Sequence, residues 1–320
     1  MTRVAAPSGP LLLAALSLLH SAQRLALLLL TVITLLFFLL RLTGDPSLVL
    51  AGADATDVQI AAIRAEYGLD KPIWAQYFLY LFDLLRLDFG ISLESGQPAA
   101  ATVLKALPVT LQLSFLAMGL TIFICVPVGA WLGMRQQRPS RRLTNLVVFL
   151  LQATPGFVAG LFLIQLFSVE LRLLPSIGRV GPETWVLPVL TLASFLVPKL
   201  IRVISANVAE TLSADYVRTA LAYGARPWTV LLRHALPNAL LGAVALIGAQ
   251  FAYLISGSVI VETMFAWPGL GWHLLQSTQT LDFPLVQALT LTIAVLVFSV
   301  NALTDLSFRF LDPRVRVGAP

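Results

Sequence analysis

Ser213-Ala-Asp-Tyr-Val-Arg-Thr-Ala-Leu-Ala-Tyr-Gly224, continued by Ala225 to Asn238, is the only long polar-bearing segment in the C-terminal half of the chain. It reads as a short helix, a glycine break, and a second helix that closes on Leu236-Pro237-Asn238. Tyr216, Thr219, Ala220 and Tyr223 recur at three- and four-residue spacing, which gives one small and aromatic face suited to a shallow groove. Gly224 permits a positive φ or a close backbone approach at the corner. Ser213 with Asp215 offers N-terminal capping and favourable negative charge at the helix start. The plainer alternative is a re-entry loop between two helices, with its aromatics anchored at an interface.

The composition around this segment restricts the fold. Of 320 residues, 58% are hydrophobic and 12% charged, and the mean hydropathy is +0.86. Too little polar surface is available to cover a soluble domain of that size, so the chain reads as an integral membrane protein. The net charge of +5 is carried by residues scattered among apolar runs, an arrangement that reads as membrane sidedness and not as a nucleic-acid surface. The single cysteine, Cys125, lies in an apolar run as a small packed residue and has no partner for an intrachain disulfide.

Residues 1–24 form a lead-in with a short apolar patch, Pro10 to Leu19, read as a membrane-surface segment in preference to a cleaved signal. The first span is 25–42, with Arg41 able to snorkel to the interface. Residues 43–105 hold eight acidic and four basic residues and two amphipathic stretches, Asp54 to Tyr67 and Ile73 to Leu87. They read as an extramembrane insert of short helices. A five-helix core over 106–308 follows, with apolar runs at Ala106 to Met134, Leu143 to Val169, Trp185 to Asn207, Ala239 to Val261 and Phe283 to Leu303. Each is long enough to cross a hydrocarbon core of about 30 Å. The run carrying Pro188 and Pro198, with Lys199 and Arg202 near its end, is expected to kink and reach the interface. The expected architecture is thus all-α, with six transmembrane helices and a helical insert.

With both termini cytoplasmic, fourteen of the 21 basic residues and only four of the 16 acidic ones lie inside. Arg135, Arg138, Arg141 and Arg142 dominate one short loop. The insert then faces the far side, the loop over 208–238 faces the cytosol, and residues 309–320 form a basic cytoplasmic tail.

Chemistry-bearing patterns are few. No G-x-x-x-x-G-K-[ST] occurs and none of the three lysines follows a glycine, so no phosphate-cradling loop is present. The three histidines lack ligand spacing, which predicts no metal site, and no catalytic residue is assigned. No acidic side chain lies in the middle of a span, unlike many secondary carriers. Energy for any transport is therefore expected from a partner. Gln112, Gln152, Gln165, Gln250 and Asn301 are polar residues in otherwise apolar spans. They are candidates for a translocation path, with helix–helix hydrogen bonding as the alternative. Val261-Glu-Thr-Met-Phe-Ala-Trp-Pro-Gly-Leu-Gly271 contains a Trp267-Pro268-Gly269 turn that ends a helix at an interface.

The central segment resembles the cytoplasmic loop of ABC importer permeases, written E-A-A-x3-G-x9-I-x-L-P. Arg218 and Thr219 replace the first two letters, His234 replaces Ile, and Gly224, Leu236 and Pro237 are in register. These departures resemble the dipeptide, oligopeptide and nickel branch, D-Y-V-R-T-A-x-A-x-G with L-R-H-A-L. Arg41-Leu-Thr-Gly-Asp-Pro46, Leu87-Asp-Phe-Gly-Ile-Ser-Leu93, Val261 to Gly271, and Leu311-Asp-Pro-Arg314 resemble further segments of that branch. The resemblance implies a type I ABC importer permease fold in a bacterial inner membrane. It implies two ATPase subunits that hold ATP and Mg, a homologous second permease, and a periplasmic or lipoprotein substrate-binding protein. It makes Asp215, Tyr216, Arg218, Thr219, Ala220, Tyr223, Gly224 and Pro237 the ATPase-coupling residues. It places Glu262, Trp267, Pro268 and Gly269 on the external side, where Glu262 is able to face substrate or binding protein. Small peptides are the expected cargo. A nickel chelate and a secondary carrier independent of ATP are the alternatives.

Overall fold

The computed structural model describes residues 10–52, 54–135, 139–178 and 181–311, with side chains described from residue 23 and, in the last helix, to residue 307. The first nine residues of the lead-in, Arg138 of the basic loop and the tail beyond Leu311 lie outside the described residues, as does the side chain of Arg141. The described residues form helices joined by turns, and an isolated bridge between Ile91 and Pro98 is the one β pairing among them. They fall into two compact units, one of residues up to Leu104 with Leu274–Phe298, the other of Lys105–His273 with residues from Ser299 onward.

In the first unit, α1 (Pro10–Thr43) supplies the first membrane-length helix. The insert follows as α2 (Pro46–Ala51), α3 (Asp57–Glu66) and α4 (Ile73–Leu85). Asp45 caps α2 by accepting from the Ser47 amide at 2.9 Å, and Thr56 with Gln59 forms a capping box on α3. Arg64 of α3 reaches back to the Asp45 carboxylate and to Ser47 Oγ, which ties the two short helices together. Burial alone would raise the Asp45 carboxyl, but the Ser47 donors and the Arg64 guanidinium outweigh it and hold the group below its ordinary value.

The apolar helix α4 lies against α1. Phe37 and Phe38 meet Tyr77 at ring centroids of 5.2 and 5.6 Å, and Tyr77 Oη hydrogen-bonds Thr34 Oγ1 at 2.8 Å. Arg41 lies over the Phe37 ring at 3.4 Å and donates to Gln76 Oε1 at 2.9 and 3.1 Å. Its charge is engaged by the insert as well as lying at the helix end. Asp282 is fully buried. It accepts from the Ser92 hydroxyl and, at 3.3 Å, from the Leu285 amide at the start of α13 (Phe283–Leu311).

The second unit carries the core. Its main helices are α5 (Ala99–Met134), α6 (Pro139–Ala153), α7 (Gly156–Leu163), α8 (Val186–Leu212), α9 (Asp215–Ala222), α10 (Pro227–Val230) and α11 (Leu236–Met264). Helix α12 (Leu270–Gln279) follows the turn after α11. Five helices in the described residues are long and apolar enough to cross a membrane, or six if α6 and α7, bent by 99°, count as one span. The expected span Leu143 to Val169 is therefore broken, at Thr154-Pro155. Pro155 supplies no amide to the preceding turn, and a Cβ on Gly156 would overlap the Phe195 ring, so the chain turns close against α8 there. The run carrying Pro188 and Pro198 forms one helix, with Pro198 in its interior.

The second helix of the central segment does not close at Leu236-Pro237. α10 passes through a π turn, Leu231–Ala235, directly into α11, making one span from Pro227 to Met264. The wider i→i+5 turn accommodates a proline that cannot donate to the carbonyl four residues back. Gly129 and Gly133 allow α5 close to α8, where an added Cβ would come within 2.7 Å of Ile204 and Val208 respectively. Gly119, in the same helix, has nothing within 4 Å of such an atom. Gly133→Leu is therefore expected to cost about 1–3 kcal/mol by overpacking, whereas Gly119→Ala should be neutral or slightly stabilising. Thermal unfolding of the purified protein in detergent checks the two opposite signs.

Candidate functional site

Three arrangements in the second unit contain most of the residues singled out above. The first is the loop helix α9. Its N-cap is Ala214, with no side-chain cap, and Ser213 Oγ donates instead to Glu210 O at 2.6 Å. Ser213 thus closes α8, and the expected Ser213 cap is absent because the residue is one position too early. Val217 is fully buried and anchors the helix, with Ala220 half-buried beside it. Asp215, Tyr216, Arg218, Thr219 and Tyr223 are exposed, Tyr223 by 89%. Tyr216 Oη accepts from Asn238 Nδ2 at 3.2 Å, next to the exposed Pro237. Gly224 has φ 84°, its amide donates to Leu221 O, and the Ala225 amide donates to Ala220 O. This is a Schellman termination. No atom lies within 4 Å of a Cβ placed there, so the glycine answers to backbone handedness and not to crowding.

The second arrangement is the turn after α11. Glu262 is fully buried and its carboxylate accepts from Thr110 Oγ1 at 2.7 Å, from the Gly271 amide at 2.7 Å and from the Trp272 amide at 3.2 Å. Thr110 Oγ1 in turn accepts from the Leu270 amide at 2.8 Å. A Cβ on Gly269 would sit 2.5 Å from the Glu262 carboxylate. Trp267, also fully buried, meets Trp185 edge-on at 4.6 Å. Glu262 therefore does not face outward as the sequence allowed. It satisfies the amides at the start of α12, and Gly269 leaves room for it.

The third arrangement was only partly visible in the sequence. Of the five polar span residues, Gln152 and Gln250 line one cavity of about 400 Å³, together with Lys199, Ser194 and Tyr253. Lys199 Nζ donates to Gln250 Oε1 at 3.0 Å, and Arg202 Nη1 to Gln152 Oε1 at 3.4 Å. Gln112 and Asn301 are exposed elsewhere, and Gln165 donates to Glu170 Oε1 at 2.9 Å. Lys199 was expected near the end of its span. Because α8 runs on to Leu212, Lys199 stands thirteen residues from each of its ends, about 20 Å by helix rise. Lys199 and Arg202 are both exposed, and among the described residues no carboxylate pairs with either. Among the described residues no group of three or more candidate ligands fit to hold a metal ion is found.

Membrane-length helices, an exposed loop helix and a polar cavity at mid-helix characterise this unit. Residues 125–317 match the family described as binding-protein-dependent transport system inner membrane component, and residues 18–114 match its N-terminal counterpart. The glutathione transport system permease protein GsiC of Escherichia coli (strain K12) is 33% identical over 287 residues, covering 89% of this chain and 94% of that protein. The probable D,D-dipeptide transport system permease protein DdpB of the same organism is 34% identical over 304 residues, covering 86% and 89%. A chain from the inward-facing MetNI methionine ABC transporter aligns with TM-score 0.56 at 20% identity, over 67% of this chain and 97% of that one, and shares the fold. The chain belongs to the binding-protein-dependent transport system inner membrane component family, as a multi-pass permease subunit of an ABC importer.

Replacing Glu262 by Ala would strand three buried donors, each worth about 1–3 kcal/mol when unsatisfied. Glu262→Ala is expected to lower the unfolding midpoint and open the Trp267 to Gly271 turn to protease, and Glu262→Gln, which keeps one acceptor, to do so less. Limited proteolysis alongside thermal unfolding reads both.

Proposed function

We propose that this permease imports small peptides, paired with a homologous second permease, and that its loop helix receives the thrust of an ATPase subunit. Both termini and the loop face the cytosol in this reading, and the insert faces a periplasmic or lipoprotein binding protein. ATP and Mg reside on the two ATPase subunits. The observation that carries the reading is α9 itself, a two-turn helix held by one buried residue, Val217, with Tyr216 and Tyr223 directed outward and a glycine stop that fixes its length. Such an element is rigid enough to be pushed and leaves an aromatic face to be covered. The named substrates of the relatives, glutathione and D,D-dipeptides, support a peptide cargo.

The proposal implies a cycle. Closure of the ATPases on ATP draws the two loop helices together, and the permeases pass from an inward-facing to an outward-facing arrangement. The binding protein then releases substrate into the opened path.

The test is Gly224→Arg. A side chain at φ 84° costs about 1–2 kcal/mol of backbone strain and places a cation in the docking face. ATP-driven uptake in proteoliposomes should fall about tenfold or more, within the usual range of a coupling free energy, with assembly of the folded chain retained. Undiminished uptake without co-purifying ATPases would favour a carrier independent of ATP.

A further inference from the structure

Lys199 and Gln250 each stand at the midpoint of a membrane-length helix and meet at 3.0 Å. Gln250 is 7% exposed, so its carbonyl oxygen is committed to the lysine within the protein. The cavity they border also contains Ser194, whose carbonyl receives no amide from the residue four ahead because that residue is Pro198. A second cavity of about 410 Å³ adjoins it and shares Gln152. Arg202, one turn beyond Lys199 on α8, lines that second cavity and donates to the shared glutamine. Two cations thus follow one another along a helix face, each held by a neutral amide oxygen. Among the described residues neither has a carboxylate in ion-pair contact.

We propose that Lys199 is the mid-membrane binding point for a carboxylate of the transported solute, with Gln250 orienting the ammonium and Arg202 as the next station along the path. The proposal rests on the importer reading above and narrows its cargo. Neutral amides position a cation without cancelling its charge, so the field in the cavity is positive and selects an anionic oxygen. A free divalent metal ion would be repelled there. A cavity of about 400 Å³ falls within the range of small-molecule sites, and a peptide with a free C-terminal carboxylate matches both size and charge. The neighbouring serine hydroxyl and freed carbonyl are suited to peptide amides.

The assembled transporter in lipid nanodiscs, without its binding protein, is dialysed against glutathione and a mixture of di- and tripeptides with free C-termini. It is dialysed in parallel against the same peptides as amides, and bound species are quantified by mass spectrometry. Free acids should be retained over amides. Lys199→Met should reduce their retention about tenfold, as for loss of a charge-assisted hydrogen bond, and Lys199→Arg should restore most of it. Equal retention by wild type and Lys199→Met overturns the proposal, as does wild-type indifference between acids and amides, retention of no peptide, or retention of nickel chloride in the same cell. Loss of the partner subunits in both Lys199 variants would place the residue in a subunit contact and overturn it equally. The importer reading is judged separately, by co-purifying ATPases and by the uptake defect of Gly224→Arg.

Discussion

Inside a bilayer every backbone amide and carbonyl must find its partner within the protein, and the rest of this structure follows from that requirement. It makes long helices obligatory wherever the chain faces lipid, and restricts every departure from α-geometry to places where protein or a polar cavity takes up the freed groups. The departures here are specific. The 99° bend between α6 and α7 falls at Pro155, and Pro198 deprives the Ser194 carbonyl of its helical amide. Pro155, Ser194 and Pro198 line one cavity, with Lys199 and Gln250. Irregular backbone and polar side chains thus share one place in the core.

The same requirement governs the turn after α11. A helix that starts immediately after another has ended exposes amides with no intrahelical acceptor. Glu262, placed on the last turn of α11, turns its carboxylate back to accept two of them, while Thr110 on α5 bridges the carboxylate to a third. Gly269 and the buried Trp267 then follow from space, the first giving the carboxylate room and the second filling the volume against Trp185. The acidic residue in this motif is accounted for by structure alone.

Much of this was legible in the sequence, and what was not has physical causes. Apolar runs of adequate length located the spans, and the polar segment after Ser213 located the loop helix, with Gly224 at its left-handed end. Local signals failed where two readings shared the same letters. Ser213 resembles an N-cap but lies a position early and closes α8. Pro237 resembles a stop, yet the π turn at Leu231–Ala235 lets the helix pass through it. Pro155 lies in a run apolar on both sides, so composition gave no sign that it, and not Pro188 or Pro198, breaks a span. The place of Lys199 depended on how far α8 continued past it through Asn207 to Leu212, a stretch whose polarity suggested an earlier end. Neither hydropathy nor spacing encodes which glutamines share a cavity, because that is decided by helix packing.

The single helical path from Pro227 to Met264 joins the loop helix to the Glu262 turn over 38 residues, about 57 Å of rise. Its π turn lies close to the loop end, and the remainder is regular α-helix locked at the far end by a buried carboxylate. One helical element thus carries both ends of the permease core, the loop end through a π turn and the far end through a buried carboxylate stapled to Thr110 of α5.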